Sequence, residues 1–356
     1  MATDVLLVAC LADGALGSVR VYDLDVAGNG ARLFASATLA NPSFLALSPA
    51  GCLYAADETP DGSLAAFRLD LAAQRLAPLG SIATEGDFPC HITFDRTGRF
   101  AFVSNFGRRA AAAPSAQSVA VVPLGGDGRP LRAVSAVRHA GSGPAQPYQD
   151  GPHAHCAMVS PDNRFVLVAD FGIDAIVSYC FDTATGHLGP TAGTCRMPPG
   201  SAPRTLVFSP DGAKVYASLE LASALAWLTF DPATGALTLG GTSSTLPSGA
   251  AGPNYPAELR LSPDGRFAYL GNRGHDSIAV FALEDTSPRL IACHKTGGSW
   301  PRCLALTPDG GHLVVANQKT GDIRLFAIDP ARGLLAGGSE IARAPSPAFV
   351  GVARIP

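Results

Sequence analysis

His155, Arg204, Glu220, Arg273 and Arg302 are widely separated in the chain, yet their residue types together describe one kind of chemistry. An Arg carries fixed positive charge and offers two parallel donors to a carboxylate or phosphate. A His titrates near neutral pH, and a Glu whose pKa is raised can also move a proton. Brought together, these groups would form an anion site with an acid/base beside it. The pattern that brings them together is a repeat.

Aligned on a tight turn, the chain reads "PSFLALSPAGCLYAADE" from Pro42, "PCHITFDRTGRFAFVSNFG" from Pro89, "AHCAMVSPDNRFVLVADFG" from Ala154, "PRTLVFSPDGAKVYASLEL" from Pro203, "PAELRLSPDGRFAYLGNRG" from Pro256 and "PRCLALTPDGGHLVVANQK" from Pro301. The turn residue falls at Gly51, Gly98, Asn163, Gly212, Gly265 and Gly310. Pro-Asp-Gly sets a tight turn, with Gly where positive φ is needed, so the flanking alternations pair as a hairpin. Further strands follow, as in "DAIVSYCFD" from Asp174 and "DSIAVFALE" from Asp276. A period of roughly 40 to 50 residues with several short strands is the mark of propeller blades. Length alone would suggest two domains of about 150 residues; the repeat predicts one all-β domain over residues 1–356, with four antiparallel strands per blade. No helical period is present, and the Ala-rich "RRAAAAPSAQ" of blade 2, broken by Pro114, is expected to be an inserted loop. The tail "SPAFVGVARI" resembles a first strand without its hairpin, and "DVLLVACLADGALGSVRVYDLD" resembles the strands that should follow it. Together they predict a seventh blade shared by the two termini, closing the ring and leaving no open sheet edge.

In a propeller the first strand of each blade lines the channel, so equivalent positions form rings. The position after the repeat's Pro (after Ala154 in blade 3) reads Ser43, Cys90, His155, Arg204, Ala257, Arg302 and Ala348. The end of the second strand reads Glu58, Phe106, Phe171, Glu220, Arg273 and Gln318. Antiparallel pairing puts both rings at one mouth. His155, Arg204, Glu220, Arg273 and Arg302 come from blades 3 to 6 and crowd one side of it. They are expected either to bind an anion or to plug the channel by pairing with one another; three Arg against one Glu leave positive charge that a plug does not need.

The composition excludes several partners. With 15% charged residues, 47% hydrophobic residues, a net charge of −3 and no run of Lys or Arg, the chain has no footprint for nucleic acid or an anionic membrane. No apolar run reaches the roughly 20 residues of a spanning helix, and a soluble, cytoplasmic protein is expected. Its eight scattered cysteines form no C-x-x-C pair and are expected to be reduced core residues. His153, His155 and His91 raise the question of a metal, but no third ligand has a recognisable spacing, so neither a metal nor a cofactor is expected. His91 is expected to be packed or channel-lining. Asp57, Asn105, Asp170, Asn272 and Asn317 recur at one strand end and are expected to make structural hydrogen bonds. The loop ahead of His155, with Tyr148, Gln149 and Asp150, is expected to rim the site.

The stretches "GPHAHCAMVSPDNRFVLVADFGID", "PRTLVFSPDGAKVYASLEL" and "PAELRLSPDGRFAYLGNRGHDSIAVF" resemble blades of the lactonase family of seven-bladed propellers, which includes the propeller-type 6-phosphogluconolactonases and the carboxy-cis,cis-muconate cyclases. The resemblance runs from Asn41 to Phe326. It rests on His-x-His, Pro-Arg, Glu-Leu and Asn-Arg-Gly-His in that order, which generic propeller repeats lack. It implies functional roles for His155, Arg204, Glu220 and Arg273; ring position adds Arg302, Gln318 and Glu58, and His153 beside His155, as substrate-binding candidates. Leu219 departs from the family, which commonly has Asn there, and this puts the aim of Glu220 in question.

The implied activity is hydrolysis of a small anionic lactone, with 6-phosphoglucono-1,5-lactone as the expected substrate. One or two Arg would hold the phosphate, another would face the oxyanion, and His155 or Glu220 would take a proton from water. No G-x-S-x-G elbow is present, which favours direct attack by water over an acyl-enzyme. Two alternatives stand beside it: a cycloisomerase acting on a carboxymuconate, and a scaffold binding proteins through its surface.

Overall fold

The computed structural model describes residues 3–12, 16–108, 117–284 and 287–355. These residues form seven four-stranded antiparallel sheets and no helix. Blades 1 to 6 take their strands consecutively, their first strands being Pro42–Leu47, Pro89–Phe94, Ala154–Val159, Pro203–Phe208, Tyr255–Leu261 and Pro301–Leu306. The seventh runs in the order Pro347–Ile355, Thr3–Cys10, Gly17–Asp25, Gly30–Leu39, so the end of the chain supplies the first strand and its start the other three. This is the closure that the sequence predicts. Val5 pairs with Ala353 and Leu7 with Gly351, and Arg354 grips Asp4 through two contacts of 2.8 and 2.9 Å. The Ala-rich loop falls largely on residues 109–116, outside the described residues.

Local chemistry explains the hairpins. The turn residues all adopt positive φ, from 63° at Asn163 to 78° at Gly51. Glycine is also needed there for space, because a Cβ on Gly310 would come 2.6 Å from Pro263 and one on Gly265 2.8 Å from Pro210. The turns at Gly98, Gly212, Gly265 and Gly310 thus pack on the turn Pro of the blade before. Second strands such as Phe100–Asn105 and Phe165–Asp170 are buried at every position, since both faces of each sheet are covered by neighbouring blades. No helix among the described residues is long and apolar enough to cross a membrane.

One irregularity recurs in all seven blades. Pairing between first and second strands slips just after the residue that opens the repeat, between Pro42 and Phe44, Pro89 and His91, Ala154 and Cys156, Pro203 and Leu206, Pro256 and Leu259, and Pro301 and Cys303, and opposite Ala9 and Cys10 in blade 7. An extra residue in one strand leaves the ladder and re-aims its side chain. The extra residues include Cys90, His155, Arg204 and Arg302, members of the first ring read from the sequence.

Candidate active site

At one mouth of the channel, Glu58, Cys90, His155, Phe171, Arg204, Glu220, Arg273 and Arg302 line a cavity of about 600 Å³ together with Phe88, Phe106, Gly107 and Arg108. Cationic groups from blades 4 to 6 form one wall, and Phe88, Phe106 and Phe171 form another. Glu220 is the hub of the cationic wall. Its Oε2 lies 2.6 Å from Arg273 Nη2 and 3.2 Å from Arg204 Nε. Both contacts are ionic in distance but miss hydrogen-bond geometry, so these two buried N–H groups retain donor capacity. Arg302 is held more loosely, with Gln318 Oε1 at 3.4 Å and Glu58 Oε2 at 3.8 Å. At the rim, Arg108 pairs with Asp87 at 3.0 Å. Three cations therefore face two carboxylates, Glu58 adding to the single Glu of the sequence reading, and a net positive charge remains for an anion.

His155 faces this charge as a neutral base. Burial is the larger cause holding its pKa well below the ordinary value of 6.5, and the charges of Arg204 and Arg302 act in the same direction. The Phe106 ring stands edge-on, its centre 5.9 Å from that of the imidazole. Burial also pulls the Arg273 guanidinium down to about 10, which leaves it charged at neutral pH. The Cys90 thiol is pushed well above its ordinary 9.0, chiefly by burial, so it is no nucleophile.

Backbone anchors aim these side chains. The Asp170 carboxylate accepts from the backbone N–H groups of His153 at 2.8 Å and Gly172 at 2.9 Å, and it meets His139 Nδ1 at 2.6 Å. This pins the strand just ahead of His155. Asn105, Asn272 and Asn317 are likewise hydrogen-bonded and buried. Blade 4 has Leu219 at that position, packed in the core. There the Glu220 N–H donates to Ala202 O at 2.9 Å, and the two Arg groups fix the carboxylate. A different device places Arg204 and Arg302. The residue two before each, Ala202 and Trp300, has left-handed φ of 57° and 69°. Its N–H is held by an Asp at the head of the preceding blade's third strand, Asp174 at 2.8 Å and Asp276 at 2.7 Å. The sequence reading noted these Asp only as strand starts.

Not every expected residue reaches the cavity. His153 is fully buried, stacked on Phe106 with ring centres 4.5 Å apart, its nitrogens facing Phe106 O at 2.7 Å and Asp150 Oδ1 at 2.9 Å. It supports the aromatic wall from behind and does not face the site. Gln318 touches Arg302 but lines a neighbouring hollow. The loop ahead of His155 is a structural lock more than a rim, because Gln149 is buried and donates to Phe171 O and to Asp174 Oδ1, both at 2.7 Å. No group of three His, Cys, Asp or Glu among the described residues could hold a metal ion.

His91 packs on Phe44 with ring centres 4.5 Å apart, and burial, with help from Arg260 and Arg204, lowers its pKa to about 3. It stays neutral in the fold while the unfolded chain takes a proton below about 6.5, so acid favours unfolding. Stability is expected to fall by up to about 1.4 kcal/mol per pH unit from about pH 6.5 down to 3 on account of this group. Melting curves of wild type and His91→Gln across that range check it: the variant should show the shallower slope.

Seven blades around a channel with one charged mouth place the chain among the propeller folds, and comparison with known proteins shows which family it belongs to. Residues 5–352 match the family model described as "Lactonase, 7-bladed beta-propeller". The 6-phosphogluconolactonase of Bacillus subtilis is 30% identical over 257 residues, 72% of this chain and 70% of that protein. The structure of a periplasmic gluconolactonase from Pseudomonas aeruginosa superposes with a TM-score of 0.89 at 28% identity, over 99% of this chain and all of that one. A putative 6-phosphogluconolactonase from Bacteroides fragilis does so with a TM-score of 0.86 at 26% identity, over 99% and 98%. This chain belongs to the seven-bladed propeller lactonase family and is a lactonase.

Proposed function

We propose that this enzyme hydrolyses 6-phosphoglucono-1,5-lactone to 6-phosphogluconate by direct attack of water. The observation that carries the reading is the division of labour in the cavity: a neutral His155 faces two Arg clamped by one Glu and a third Arg held loosely. In the first step water oxygen bonds to the lactone carbonyl carbon while His155 takes the water proton. The charge that develops on the carbonyl oxygen meets Arg204 and Arg273, kept in place by Glu220. Collapse then breaks the bond to the ring oxygen, which leaves with the proton returned by the imidazolium. Arg302 grips the phosphate. Among the described residues no Ser lines the cavity, and the Cys90 thiol is held protonated, which supports water as the nucleophile. Cytoplasmic residence suits a phosphorylated substrate and the eight unpaired cysteines.

Arg302→Gln tests this assignment. It is expected to raise KM for the phosphorylated lactone by roughly ten- to a hundredfold, the scale of about 1.5 to 3 kcal/mol for a hydrogen bond to a charged group. Its kcat should change little, as should KM for unphosphorylated gluconolactone. Equal losses with both lactones would take the phosphate away from Arg302.

A further inference from the structure

Trp300 stands beside the cavity without lining it, in a conformation that needs a reason. Its φ of 69° is left-handed, a rare and strained state for a bulky residue and an unusual one directly before a proline, here Pro301. Two hydrogen bonds impose it. The Trp300 N–H donates to Asp276 Oδ1 at 2.7 Å, and its carbonyl accepts from Gln318 N at 2.9 Å. Asp276 lies three residues beyond Arg273, so the turn that carries Arg273 also holds Trp300.

The same left-handed φ recurs at Phe88 and Ala202, so the backbone belongs to the inter-blade junction and the side chain is what sets this position apart. The indole centre lies 5.5 Å from the Arg273 guanidinium carbon and 3.6 Å from Lys319 Nζ. Arg273 belongs to the cavity and Lys319 to the neighbouring hollow of about 550 Å³, so the ring meets one cation from each. The Tyr255 ring adjoins it at 5.9 Å, and Tyr255 O accepts from Arg273 Nε at 3.1 Å. Glu220 at 2.6 Å and Tyr255 O hold Arg273 by its edge and leave the faces of its planar head to other contacts. An aromatic face is the contact that fixes the plane.

We propose that Trp300 is a positioning residue for the reaction, holding the plane of the Arg273 guanidinium against Glu220 so that its remaining N–H donors point into the cavity. The inference deepens the function proposed above and rests on Arg273 serving the oxyanion there. The experiment measures kcat and KM for 6-phosphogluconolactone in Trp300→Leu, Trp300→Phe, Arg273→Gln and the Trp300→Leu/Arg273→Gln double variant, with melting temperature as a check on the fold. Trp300→Leu is expected to lower kcat about tenfold with KM little changed, and Trp300→Phe to keep most of the rate. The double variant should be no slower than Arg273→Gln alone, whereas combining Trp300→Leu with Arg302→Gln should multiply the two losses. A Trp300→Leu enzyme with wild-type kcat, losses that multiply with Arg273→Gln, or equal damage from Phe and Leu would each overturn the inference while leaving the lactonase mechanism standing. A silent Arg273→Gln would overturn both. A second readout leaves Trp300 in place: with Trp227 replaced by Phe, the emission of Trp300 should shift on Arg273→Gln, and an unchanged spectrum also overturns the inference.

Discussion

Replacing His155 with Ala is expected to lower kcat by about 10² to 10⁴, the range for loss of a positioned general base, with little change in KM. The pH profile gives the sharper expectation. Burial and the charges of Arg204 and Arg302 hold the imidazole below 6.5, so the wild-type rate should be flat through neutrality and fall only in acid, as the base becomes protonated. The variant should lack that acidic limb. Glu220→Gln should cost less in chemistry, because in the proposed mechanism Glu220 orients two Arg and His155 takes the proton. It also leaves those buried cations with a weaker partner, so its melting temperature should drop. A nearly intact His155→Ala beside a dead Glu220→Gln would exchange the two roles and favour proton transfer to or from carbon.

Deleting the last ten residues, from Pro347 on, is expected to abolish the soluble fold. The strand Pro347–Ile355 is the channel-side member of blade 7 and pairs along the length of Thr3–Cys10. It buries Ala348, Phe349 and Val350 and packs against the first strands of blades 1 and 6. Without it, Thr3–Cys10 becomes an exposed edge beside a gap in the ring, the geometry that recruits strands from other molecules. Size exclusion and thermal melting are the checks, with aggregation expected. A monomeric, cooperatively melting truncation would contradict closure by the two termini. Arg354→Ala should leave the melting temperature nearly unchanged, since its pair with Asp4 lies at the surface and is screened by solvent.

The blades are legible in the sequence because their turns are local: Gly265 or Asn163 needs positive φ wherever the rest of the chain lies, and alternation names the buried faces. The rings are legible because symmetry turns repeat position into place. That is why His155, Arg204, Glu220, Arg273 and Arg302 come together at one mouth as expected. What stays hidden depends on contacts between blades. His153 sits two residues from His155, but the bulge at His155 sends that side chain into the cavity while His153 goes behind Phe106. Phe88 and Trp300 precede the repeat's Pro and carry no motif; Trp300 owes its place to a left-handed backbone pinned by Asp276. The "D" opening "DAIVSYCFD" and "DSIAVFALE" is the available signal, since Asp174 and Asp276 do the same work at the junctions of blades 3 and 4 and of blades 5 and 6.

The most direct measurement is turnover by the purified protein of 6-phosphoglucono-1,5-lactone, unphosphorylated gluconolactone and carboxymuconolactone, each compared with its spontaneous rate of ring opening at the same pH. Consumption of the phosphorylated lactone far above its spontaneous rate, with 6-phosphogluconate as product and weaker action on the unphosphorylated sugar, is the predicted result. Preferential turnover of carboxymuconolactone, or no acceleration of the phosphorylated lactone, would contradict it.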